Sequence, residues 1–116
     1  MELTRLKSIL DKVAPSYHLT YEPSDVSELK TPIIVFSRVS SGFNTYSDDK
    51  SNLRATTFQI NLISKDSEEM DTYSKKLEET LAGFDLPFTL TSEYLNENKT
   101  ITVIYEIRTE ETINVK

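Results

Sequence analysis

The chain has 116 residues, 37% hydrophobic and 28% charged, with no cysteine. That is enough for one domain with a core and too little for two, and it excludes disulfides, thiolate catalysis and cysteine-held zinc. Acids outnumber bases 19 to 13 for a net charge of −6, and without a Lys/Arg cluster tight binding to a phosphate backbone is not expected.

Leu3, Leu6, Ile9, Leu10 and Val13 recur at helical spacing, which predicts an amphipathic helix over residues 2–13 that Pro15 stops. The same stretch lacks the uninterrupted apolar core of a signal peptide, and no apolar run reaches membrane-spanning length. Tyr17, Leu19 and Tyr21 alternate, permitting a short strand that Pro23 ends. Residues 24–30 read equally well as a helical turn or a loop. "PIIVFSRVS" is rich in β-branched and aromatic residues and apolar on both faces, the pattern of a strand inside a sheet.

Residues 41–55, "SGFNTYSDDKSNLRA", are polar and read as a long loop, a length associated with function or mobility. Phe43 and Tyr46 project from it without a local apolar pattern, and such aromatics are enriched at interfaces.

In "TTFQINLISKD", Phe58, Ile60 and Leu62 share one face and Thr57, Gln59 and Asn61 the other, as in a strand with one face on a core. Asp66 or Ser67 caps the helix that follows, Asp66 and Glu69 having capping-box spacing, and Glu68, Glu69 and Asp71 suit the positive end of a helix dipole. Met70, Tyr73, Leu77 and Leu81 form the buried stripe, and Gly83 is placed as the left-handed residue past the helix end. Phe88, Leu90 and Tyr94, then Ile101, Val103, Tyr105 and Ile107, alternate on either side of "NENK", predicting an antiparallel hairpin. The end, 109–116, "TEETINVK", reads as a tail after a single domain of residues 1–108: loose, or an extra strand, in place or exchanged. The fold class expected is α+β: one antiparallel or mixed sheet of four to five strands, with two helices packed on one face.

Reactive groups are scarce. His18 is the only histidine and reads as a solvated strand position. The carboxylates of the second helix have capping or solvated-face explanations. Asp48 and Asp49 lack the ligand spacing of a calcium loop. No G-x-S-x-G elbow is present, and two glycines cannot make a nucleotide-binding loop. "NKT" at Asn98 matches a glycosylation acceptor that has meaning only after secretion. A non-catalytic protein without metal or cofactor is the expectation.

The layout resembles the small tail-terminator, or tail-completion, proteins of long-tailed bacteriophages. The features that carry the resemblance are the N-terminal amphipathic helix, "TPIIVFSRVS", a long polar segment, "RATTFQINLISKDSEEMDTYSKKLEETLAGF" and a closing hairpin, spanning most of residues 1–108. It implies an α+β virion subunit, assembled in the host cytoplasm into a hexameric ring at the head-proximal end of the tail. The ring stops tube polymerisation and joins the tail to the head. Its implied partners are copies of itself, the tail-tube protein and the head connector, with DNA passing through the lumen unbound. No catalytic residue is carried over. A ring needs one patch docking on a different patch. Phe43, Tyr46, Asp48, Asp49, Lys50, Leu53 and Arg54 are the candidates for one side. Ile113 and Val115 are candidates to add a strand to a neighbour's sheet. A head–tail joining protein, or a small non-catalytic bacterial binding module, is the alternative.

Overall fold

A computed structural model describes residues 1–19, 30–45 and 51–114, with side chains described for all of these except 41–45, 51–53 and 112–114. The order is α1 (Leu3–Leu10), β1 (Ser16–His18), β2 (Ile33–Thr45), β3 (Ser51–Ser64), α2 (Ser67–Gly83), β4 (Phe88–Leu95) and β5 (Ile101–Asn114). The strands form one sheet in the order β1-β2-β3-β5-β4. β1 runs parallel to β2, and every other neighbouring pair is antiparallel. Both helices pack on one face of this mixed sheet, as the periodicities predict, and the fold is α+β.

The core lies between that face and the helices. Phe58, Ile60 and Leu62 of β3, Val103, Tyr105 and Ile107 of β5, and Ile34 and Phe36 of β2 point into it. From above, α1 contributes Leu6, Ile9 and Leu10, and α2 contributes Met70, Leu77 and Leu81, while Tyr73 is half-buried. The α1 stripe continues past the helix proper, because tighter turns carry Val13 and Ala14 into the core before Pro15 (Val13 N–H to Leu10 O, 2.9 Å).

A polar clasp closes the α1–β1 corner. The Asp11 carboxylate accepts from the Ser16 backbone N–H at 3.0 Å and from the Ser16 hydroxyl at 2.6 Å. Lys7 Nζ donates to the Ser16 carbonyl at 2.7 Å and lies 3.3 Å from Asp11. Burial pushes the Asp11 carboxyl up, but the Ser16 and Lys7 contacts outweigh it and the net shift is down. A carboxyl held below its ordinary value stabilises the fold above that value, and the contribution disappears as pH falls through the lowered one. Asp11→Asn is therefore expected to cost about 1 kcal/mol or less at neutral pH, Asp11 being half exposed. In urea titrations the gap to the parent should close below pH ~4. A gap that widens on acidification would contradict this account.

The α2 start follows the expected capping. Asp66 accepts from Glu69 N–H at 2.8 Å, and Glu69 reaches back to Lys65 N–H at 3.1 Å, one residue earlier than a standard box. The α2 end differs from expectation. Gly83 is the last helical residue, and Asp85 takes the left-handed conformation (φ 56°). Leu86 N–H donates to Leu81 O at 2.9 Å and Asp85 N–H to Ala82 O at 3.1 Å, which is a Schellman closure two residues beyond the glycine. Burying Leu86 beside Leu81 selects this register: closing at Gly83 would leave Leu86 out of the core. Gly83→Ala is expected to stabilise by about 0.5 kcal/mol, since a Cβ there meets nothing within 4 Å. Asp85→Val should cost about 1–2 kcal/mol. Denaturant midpoints moving in the opposite directions would restore glycine as the capping residue.

Candidate assembly surface

Three strands outrun the helices. β2, β3 and β5 have 13, 14 and 14 residues. At roughly 3.3 Å per residue a 14-residue strand is about 46 Å long, which accounts for the 56 × 28 × 22 Å principal extents of the molecule. The helix-covered part ends near the row Arg38–Phe58–Ile107. Beyond it the three strands continue as an arm, Ser51 pairing with Asn114 and Asn52 with Thr45.

The arm corrects one reading of the sequence and selects among the alternatives of another. The segment taken as a long loop is mostly strand: Ser41–Thr45 pair with Asn52–Thr56. Of the alternatives for the C-terminal segment, Thr109–Asn114 form strand in place: they continue β5 and ladder onto β3 of the same chain. Neither stretch has apolar alternation because neither lies over the core. Their strand state comes from ladder hydrogen bonds and cross-strand pairs.

The hairpin gathers part of the predicted surface. Phe43 lies opposite Arg54, and Arg54 opposite Glu111, forming one row of the arm. Leu53 stands in the next row, opposite Asn44 and Thr112, and Ile113 in the row beyond, opposite Asn52. Tyr46, Asp48, Asp49, Lys50 and Val115 lie outside the described residues. At the arm's base the Met1 ammonium pairs with the Glu111 carboxylate, and a hollow of about 470 Å³ is lined by Met1, Glu2, Arg38, Arg54, Thr56 and Glu111.

Sequence reasoning missed the sheet margins. Among the described residues no strand pairs the outer edge of β2 beyond Phe36, of β5 beyond Ile107, or of β4. A register shift between Arg38 and Ser40 makes Val39 a bulge on β2, and a second shift between Leu90 and Ser92 does the same on β4. The latter breaks the alternation that the sequence shows for Leu90 and Tyr94. Spacing of four places both on one face, but the extra residue flips the strand. Leu90 pairs with Tyr105 and Tyr94 with Thr102, residues of opposite faces, and both side chains are exposed.

Tyr105 is fully buried and its hydroxyl donates to Glu78 at 2.9 Å; burial, reinforced by that carboxylate, pushes the phenol well above its ordinary value. His18 is exposed with its ring 5.5 Å from Phe36. On the open face of the sheet a shallow hollow of about 590 Å³ includes Val35, Asn61, Ile63 and Tyr94. Two of its amides are engaged: Asn61 accepts from Gln59 at 3.1 Å and Asn96 donates to Thr102 at 2.7 Å. Among the described residues no three His, Asp or Glu side chains converge as metal ligands, and no helix is long and apolar enough to cross a membrane. What the described residues offer is a shape, an arm with open strand edges.

The sequence matches no protein-family model, and the search of curated proteins returns no relative.

Proposed function

We propose that the chain is a non-catalytic structural subunit that assembles head-to-tail into a ring, the tail terminator of a long-tailed bacteriophage. The observation that carries the reading is the three-stranded arm. A chain that only binds a small ligand gains nothing from a ladder extended past its core with unpaired strand edges. Such edges are templates for another chain unless they are blunted, and main-chain pairing between subunits is an established recognition mode. The order of elements, shared with tail-terminator proteins, supports the specific assignment. The net charge of −6 suits a lumen through which DNA passes unheld, since like charges provide no counterion-release attraction. In this reading the arm presents Phe43, Leu53, Arg54 and Ile113 to neighbouring subunits or to the tail-tube protein.

Light scattering coupled to size exclusion tests the ring directly, with a mass near six subunits expected at high concentration. Phe43→Ser with Tyr46→Ser should leave the circular dichroism spectrum and thermal midpoint unchanged while shifting that mass downward. A collapse of the midpoint would assign these side chains to the fold instead of to assembly. Added to polymerising tail-tube protein, the parent chain should cap the tubes at shorter lengths. Tight binding to duplex DNA at physiological salt would overturn the lumen assignment.

A further inference from the structure

The large apolar side chains that remain exposed among the described residues are Leu19, Val39, Phe84, Leu90, Tyr94 and Leu95. They are not scattered. Leu19 follows β1 and Val39 is the bulged residue of β2, both on one lateral margin of the sheet. Leu90, Tyr94 and Leu95 belong to β4, and Phe84 follows α2 just before it, on the opposite margin. Leu19 and Leu95 are the most exposed of them, at 65% and 69%. Isolated exposed apolar residues are ordinary on a protein surface, but apolar residues confined to two opposite margins need a cause.

Backbone and charge agree with the side chains. Among the described residues β4 has no strand on its outer side, and β4 is exposed from Thr89 to Leu95. An edge of this kind is normally blunted with charge, yet β4 carries only Glu93 between Leu90 and Leu95. Glu93 pairs with Val103 and Arg38 with Phe58, so both project from the helix-bearing face, the acid at one margin and the base at the other. Leu19 and Tyr94 both line the open-face hollow, one from each margin. Each face of the sheet therefore has complementary groups at its two ends. The margins differ from each other, as head-to-tail docking requires and as a two-fold contact does not.

We infer that the β4 margin, through Leu90, Tyr94, Leu95 and Glu93, docks on the β1–β2 margin, Leu19, Val39 and Arg38, of a second copy of this chain. The inference rests on the ring reading and gives it a subunit interface. Among the described residues the body is five strands wide and the arm three, so side-by-side copies meet first at these body margins.

Two variants test it, each altering only exposed positions: Leu90→Lys with Leu95→Lys, and Leu19→Lys with Val39→Lys. Native mass spectrometry and light scattering should show an oligomer for the parent and a monomer for each variant, with circular dichroism unchanged. Mixing the two variants leaves one intact margin on each, so a one-to-one dimer and nothing larger is expected. That dimer also proves both variants folded. A ring that persists in either variant overturns the margin assignment and leaves the ring reading standing. Monomeric variants that do not dimerise on mixing overturn head-to-tail docking. A parent chain that is monomeric at its highest soluble concentration overturns both.

Discussion

Replacing Phe58 by alanine is expected to destabilise the protein by about 3–5 kcal/mol. Phe58 is fully buried on β3, the central strand, with Arg38 and Ile107 as its register partners and both helices above that face. The loss combines the transfer free energy of the ring with the cavity left between strands that cannot collapse. Those strands are laddered on both sides. A domain of this size typically has only about 5–15 kcal/mol in hand, so the variant sits near the edge of folding. Its thermal midpoint should fall by roughly 4 °C for each kcal/mol lost. A reduction below about 1 kcal/mol in urea, with an unchanged denaturant slope, would mean that the sheet does not seat Phe58 as described.

Leu77→Ala should cost about 2–5 kcal/mol by the same physics acting from the helix side. Leu77 is fully buried and lies seven residues after Met70 and four before Leu81, so it stands in the middle of the α2 contact stripe. The control is Lys75→Ala on the exposed side of the same helix, which should stay within about 0.5 kcal/mol. Equal effects at both positions would mean that α2 is not anchored by this stripe. Neither substitution touches the arm or the sheet margins. Assembly measured at a temperature where each variant is folded should match the parent, which separates loss of fold from loss of interface.

Legibility in the sequence followed burial. Where a segment covers the core, the apolar period is forced on it: Leu6, Ile9 and Leu10 at helical spacing, and Phe58, Ile60 and Leu62 at a period of two, are the residues that fill the interior. The Asp66 cap was equally readable, because it depends on a side chain and a backbone N–H three residues apart. Elsewhere the local signal pointed wrongly. Gly83 is the residue best suited to a left-handed turn, yet the turn falls on Asp85, because docking Leu86 in the core outweighs one residue's backbone preference. Leu90 and Tyr94 alternate like core residues, but the shift before Ser92 sends them to opposite faces, and the edge position of β4 leaves both uncovered. Of the interface candidates, Phe43, Leu53, Arg54 and Ile113 fall on adjacent rows of one arm. That adjacency joins positions some sixty residues apart and has no trace in the linear pattern.

By itself, then, the order of residues determined the two helices, the inward faces of the strands that lie beneath them and the α+β class, because burial of apolar surface imposes a period on the chain. Only the tertiary structure decided that residues 41–45, 51–55 and 109–114 are strands and that β4 lies at a margin. The pairing of a polar strand, and the exposure of an apolar one, depend on which neighbour lies alongside, and that is a property of the assembled sheet.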